Sequence, residues 1–202
     1  MKPVKERNVK LTAADWNAPN IITASRIVAT PFFLWLLLAD AGQNGALRWA
    51  AAGFFIIMMA SDALDGYLAR SRNLITDLGK LLDPIADKFL IGSAFVALSI
   101  LGELPWWVTV IVLVREIGIT VHRLMISHSV VVAAAWLGKL KTVAQSIAIP
   151  LALFPFADLF GQWFVWVNIL SMTVAVALTV LSGFDYILQA QRSRNRGDGR
   201  QA

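Results

Sequence analysis

The chain contains no cysteine. Disulfides, thiolate nucleophiles and thiolate metal sites are therefore excluded. Histidine is nearly absent too: His122 and His128 stand alone, and their spacing is not the i, i+4 of a two-histidine zinc helix. Charge is scarce, with Asp, Glu, Lys and Arg making up 15% of residues against about 25% in soluble domains. Apolar residues fill the gap at 57%, where about 45–50% is usual. This composition reads as a polytopic membrane protein of one domain. The net charge is +5. In a soluble protein such an excess would suggest nucleic acid. Here the basic residues flank apolar runs, which suits membrane orientation and anionic headgroups, and no nucleic-acid partner is expected.

A spanning helix needs about 20 mostly apolar residues. Six segments qualify, at about 20–39, 46–69, 77–101, 105–126, 134–156 and 163–188. The expected fold class is all-α, a membrane protein with six transmembrane helices. Residues 1–19, which include LTAADWN, are read as a cytoplasmic, interfacial segment. Residues 20–190 form the membrane domain, and 191–202 a basic disordered tail. Ala39-Asp40-Ala41 resembles a signal-peptidase site, but the apolar run before it is too long for a signal peptide, whose apolar region is about 7–15 residues. Lys2, Lys5, Arg7 and Lys10, then Arg70, Arg72 and Lys80, then Arg192, Arg194, Arg196 and Arg200 flank one set of helix ends; the other set has only Arg48. The positive-inside bias puts both termini in the cytoplasm. Trp106, Trp107, Trp163 and Trp166 suit interfacial belts.

Five of the 13 acidic residues fall between positions 61 and 88. Asp62, Asp65, Gly66 and Ala69 are spaced i, i+3, i+4, i+7 and share one helical face. Thr76, Gly79, Asp83 and Asp87 form a second such face. Asp77 lies off it and reads as a helix-start acid. Four ionised carboxylates beside hydrocarbon are costly, each about 2.5–3.5 kcal/mol on insertion scales, and they repel one another. Divalent cations resolve both problems. An all-oxygen ligand set favours Mg²⁺, Mn²⁺ or Ca²⁺, and four carboxylates suffice for two ions, a pair that can clamp both oxygens of a phosphoryl displacement.

These residues resemble the signature of the CDP-alcohol phosphotransferases. Asp62-Ala-Leu-Asp65-Gly66-Tyr-Leu-Ala69-Arg70, eight residues, then Gly79-Lys-Leu-Leu-Asp83-Pro-Ile-Ala-Asp87 fills every signature position. Asn17-Ala-Pro19-Asn20-Ile-Ile-Thr23-Ala-Ser-Arg26 and Trp136-Leu-Gly138-Lys139-Leu-Lys141-Thr142-Val-Ala-Gln145 are similar to the bacterial phosphatidylglycerophosphate synthase branch, with one departure, Leu-Met after Arg123. The similarity covers roughly residues 17–190. It implies six transmembrane helices, a bacterial-type cytoplasmic membrane location, a homodimer, and a cytoplasm-facing site with two Mg²⁺ or Mn²⁺ ions. Asp62, Asp65, Asp83 and Asp87 would hold the metals, with Asp87 also the general base. Gly66, Ala69, Arg70, Thr76 and Gly79 would contact CDP-diacylglycerol.

Asn20, Thr23 and Arg26 form a polar stripe on the first helix. They read either as nucleotide or metal-site contacts or as a helix cap with a snorkelling arginine. If the acceptor is sn-glycerol 3-phosphate, its phosphate needs cations, and Arg115, Arg123, Lys139 and Lys141 are the candidates; the two lysines also suit membrane anchoring. No Arg115–Glu116 pair is expected, because adjacent helical residues do not face each other. Gly92 and Ser93 suit close helix packing. Other acceptors (inositol phosphate, phosphatidylglycerol, serine) and a divalent-cation transporter remain as alternatives.

Overall fold

A computed structural model describes residues 17–72, 76–125 and 136–198, apart from the side chains of Arg70, Asp77, Lys80, 123–125 and 192–198. The described residues are all-helical. The helices are α1 (Ala18–Ala39), α2 (Ala46–Ser71), α3 (Asp77–Ile100), α4 (Trp106–Met125), α5 (Trp136–Leu153), α6 (Phe156–Phe160) and α7 (Trp163–Asp198). The six long helices fall on the six expected segments. The short α6 was not expected. It sits in a knot of rings, with Phe156 against Trp49, Phe154, Phe160 and Phe164. The last helix continues to Asp198 rather than stopping near Leu188. The expected interfacial segment lies almost wholly outside the described residues.

Local chemistry accounts for the helix starts. Asn17 caps α1 by accepting from Asn20 N, with Pro19 in the first turn. Thr76 caps α3 by accepting from Gly79 N. Asp77 is the first residue of α3, as its reading as a helix-start acid requires. The α1–α2 turn winds around Asp40, whose carboxylate accepts from the backbone N–H groups of Asn44, Gly45 and Arg48.

α1 packs on α2 and α3, α5 on α7, and α4 bridges α3 and α7. The core between them pairs large and small side chains, among them Phe33, Phe55, Phe95 and Leu98 with Ala51, Ala52 and Ala94. Gly92 does permit close packing: a Cβ there would sit 2.9 Å from Leu113 Cδ2 across the α3–α4 contact. At the end of the bundle near α6, Arg48 is buried and bidentate on Glu103, and it also donates to the carbonyls of Ala152 and Leu153. One guanidinium thus ties α2, the α3–α4 turn and the C-terminus of α5 together.

Among the described residues three stretches are long and apolar enough, by length and composition, to cross a membrane: Ala18–Ala39, Ala46–Ala69 and Trp163–Gln191. α3, α4 and α5 carry Asp87, Lys88, Arg115, Glu116 and Lys141. Large apolar side chains, Val28, Trp35, Trp107, Val114 and Trp166 among them, point outward along the bundle.

Candidate active site

The polar stripe of α1 faces inward. Asn20, Thr23 and Arg26 are all buried, and Arg26 retains only 2% of its exposure. A snorkelling arginine would reach outward; this one instead donates through Nη1 to Asp62 and through Nη2 to Asp65, both on α2. Helix capping belongs to Asn17, so the cap reading of the stripe fails as well.

Thr23 joins the two acidic faces. Its hydroxyl lies 3.1 Å from Asp65 Oδ2 and 2.9 Å from Asp83 Oδ1, so one short side chain brings the α2 and α3 carboxylates to the same point on α1. Asp62 and Asp87 line one cavity of about 130 Å³ with Arg26 and Gln145. Asp62, Asp65, Asp83 and Asp87 thus come from two helices to one neighbourhood. They are not, however, gathered as a ready ligand set. Among the described residues no three Asp, Glu or His side chains converge in that way. Three of the four charges are met by cations of the protein, Asp62 and Asp65 by Arg26 and Asp87 by Lys88. The donors themselves, four carboxylates with a threonine hydroxyl beside them, are the hard oxygen ligands that suit Mg²⁺ or Mn²⁺.

Asn20 and Gly79 meet closely. Asn20 Nδ2 donates to Thr76 Oγ1 at 2.7 Å, and a Cβ on Gly79 would lie 2.5 Å from Asn20 Oδ1. Gly79 is thus needed for α1 to approach α3, whatever else it contacts. Gly66 and Ala69 lie partly buried on the Asp65 side of α2. The side chains of Arg70 and Arg123 lie outside the described residues.

The candidate phosphate cations divide. Lys141 is buried, whereas Lys139 is exposed. Glu116, itself buried, accepts from Lys141 Nζ and Arg115 Nη1 on one oxygen and pairs with Lys88 Nζ at 3.2 Å on the other. The Arg115–Glu116 pair, not expected between neighbours in sequence, does form at 3.0 Å; the guanidinium is long enough to fold back along its own helix. Arg115 also donates to Ser182 on α7. Gly183 makes room for it, since a Cβ there would lie 3.2 Å from Arg115 Cγ. Lys88 and Glu116 received no site assignment from sequence, and Arg26 only the two open readings of its stripe. The available signal was that ionisable residues inside a membrane are functional by default.

With two acidic helix faces joined through α1 and a cation cluster beside them, the chain can be placed by comparison. The CDP-alcohol phosphatidyltransferase family model matches residues 16–181, and the chain belongs to this family. It is 45% identical over 176 residues to the probable phosphatidylglycerophosphate synthase of Mycobacterium tuberculosis, covering 87% of this chain and 82% of that one. It is 38% identical to the CDP-diacylglycerol–glycerol-3-phosphate 3-phosphatidyltransferase of Bacillus subtilis, covering 85% and 93%. The protein of the same name from Shigella flexneri is 33% identical, with 88% and 96% covered. Membership in this family removes the cation-transporter alternative.

Proposed function

We propose that this chain transfers the phosphatidyl group of CDP-diacylglycerol to sn-glycerol 3-phosphate, giving phosphatidylglycerophosphate and CMP. The relatives named for this reaction support it over most of the chain. The observation that carries the choice of acceptor is the cluster of the partly buried Lys88 and Arg115 with the buried Lys141, beside Asp87. An acceptor bearing its own phosphate needs such cations; serine does not.

Asp62, Asp65, Asp83 and Asp87 are the residues that would hold two Mg²⁺ or Mn²⁺ ions, which would neutralise the diphosphate and stabilise departing CMP. Asn20, Thr23, Gly66, Ala69, Arg70, Thr76 and Gly79 would seat the cytidine diphosphate, with the small residues admitting it close to the backbone. Arg115 and Lys141, joined by Arg123 and Lys139, would bind the acceptor's phosphate. Asp87 takes the proton from the attacking hydroxyl as the new P–O bond forms and the bond to CMP breaks. Lys88 Nζ donates to one oxygen of this carboxylate and holds it in place. Such a reaction depends mainly on positioning and charge stabilisation.

All six long helices cross the membrane in this reading, with both termini and the site on the cytoplasmic side of a bacterial-type inner membrane. Burial of Glu116 and Lys141 supports it: the charges of α4 and α5 face the bundle, where lipid does not meet them. Arg48, the lone basic residue at the opposite end, is neutralised by Glu103, which sharpens the positive-inside asymmetry. The family resemblance supports a homodimer.

The test is an acceptor panel. Purified protein with CDP-diacylglycerol and Mn²⁺ is offered sn-glycerol 3-phosphate, inositol 1-phosphate, phosphatidylglycerol or serine. CMP and phosphatidylglycerophosphate are expected with the first. CMP release with another acceptor and none with glycerol 3-phosphate would overturn the assignment.

A further inference from the structure

Lys88, Arg115 and Lys141 come from three different helices and meet at one buried carboxylate, Glu116. Lys88 also holds Asp87. The result is an unbroken polar chain from Asp87 on α3, through Lys88 and Glu116, to Arg115 and Lys141, with Ser182 of α7 fixing the far side of Arg115. In this group three cations face two carboxylates, leaving an excess of one positive charge beside the candidate base. The excess is complementary to an anionic group. Arg115 Nε is buried with no hydrogen-bond partner, so the guanidinium is bonded through its two terminal nitrogens while this donor is unused.

We propose that Glu116 is the positioning residue of the acceptor-phosphate subsite, setting Arg115 and Lys141 in place for the phosphate and, through Lys88, fixing their position relative to Asp87. The inference rests on the reaction proposed above but assigns a role to a residue that never carries substrate itself. A buried ammonium or guanidinium without a counter-charge is costly. Glu116 sets a counter-charge against the buried Lys141 ammonium, and it gives all three long side chains one common anchor. Long lysine and arginine side chains otherwise lose considerable rotamer freedom on being ordered. With the anchor in place that ordering cost falls on folding rather than on binding, which is how preorganisation lowers KM.

The prediction separates the two substrates. Glu116→Gln keeps the shape and removes the charge. It is expected to raise the KM for sn-glycerol 3-phosphate by about tenfold or more, while the KM for CDP-diacylglycerol stays within about twofold, a shift of about 1.4 kcal/mol or more on one substrate only. Glu116→Asp keeps the charge on a shorter stem. It is expected to fall between wild type and Glu116→Gln, and it carries the test alone if the glutamine variant does not fold. A glycerol 3-phosphate KM within about twofold of wild type in a folded variant overturns the inference, as does an equal rise in both KM values, the mark of a merely structural role. If the wild-type enzyme uses a different phosphorylated acceptor, the proposed reaction fails and the KM of that acceptor decides the inference instead. If its acceptor carries no phosphate, both fail.

Discussion

Arg26 is the residue on which the acidic site turns. Its two terminal nitrogens reach Asp62 and Asp65, and it has almost no exposure. Removing one partner of a buried ion pair leaves the other uncompensated, at a cost of about 3–5 kcal/mol. Arg26→Ala is therefore expected to lower the thermal transition of the metal-free protein in detergent. It should also enlarge the stabilisation by added Mn²⁺, because the cation then meets two carboxylates that have lost their internal counter-charge. Equal Mn²⁺-induced shifts in the variant and wild type would show that the two cations do not share these carboxylates. Asp83 has a different position, exposed and held through Thr23. Asp83→Ala is expected to abolish CMP release and weaken Mn²⁺ binding in titration calorimetry, with membrane insertion unchanged. Retained turnover would remove Asp83 from the metal set.

Helix pairs carry the next level. α1 approaches α3 at Gly79, where the nearest atom to an added Cβ is Asn20 Oδ1, already committed near Thr76. α3 approaches α4 at Gly92, where the nearest atom is the tip of the Leu113 side chain. A leucine tip can rotate aside; a hydrogen-bonded amide on a buried helix face cannot do so freely. Gly79→Ala is thus expected to destabilise by about 1–3 kcal/mol, within the usual range for overpacking, and Gly92→Ala by less. Thermal scans of the two variants give the ordering, and the reverse order would place the tight contact elsewhere. Combining Gly79→Ala with Asn20→Ala should recover part of the loss, since the two side chains compete for one space.

For the whole molecule the open quantity is topology, and the absence of cysteine makes it accessible. Single cysteines at Ser71, at the end of α2, and at Asp158, in α6, both exposed, report opposite ends of the bundle. In intact cells a membrane-impermeant maleimide is expected to label the cysteine at 158 and spare the one at 71. Labelling of both, or of 71 alone, would reverse or break the six-span arrangement with cytoplasmic termini. The starts of α1, α2 and α3 were legible beforehand because apolar runs are local, and Asn17-Ala-Pro19, Gly45 and Thr76 stand where those helices begin; the end of α7, which runs on past the apolar stretch to Asp198, was not. The short α6 was not legible, because its reason for forming is a set of rings drawn from three separate segments.

By itself the sequence determined the class, the long helices and the two acidic faces, because helical periodicity is a property of spacing and Asp62/Asp65 and Asp83/Asp87 obey it. Only the tertiary structure decided how those charges are balanced. Arg26 lies 36 and 39 residues before its two partners, and Glu116 gathers Lys88 from one side of the chain and Lys141 from the other. Which cation meets which carboxylate depends on helix packing and on the reach of long side chains. Even the Arg115–Glu116 contact, between neighbours, depended on a rotamer that Gly183 and Ser182 of a distant helix make room for and hold.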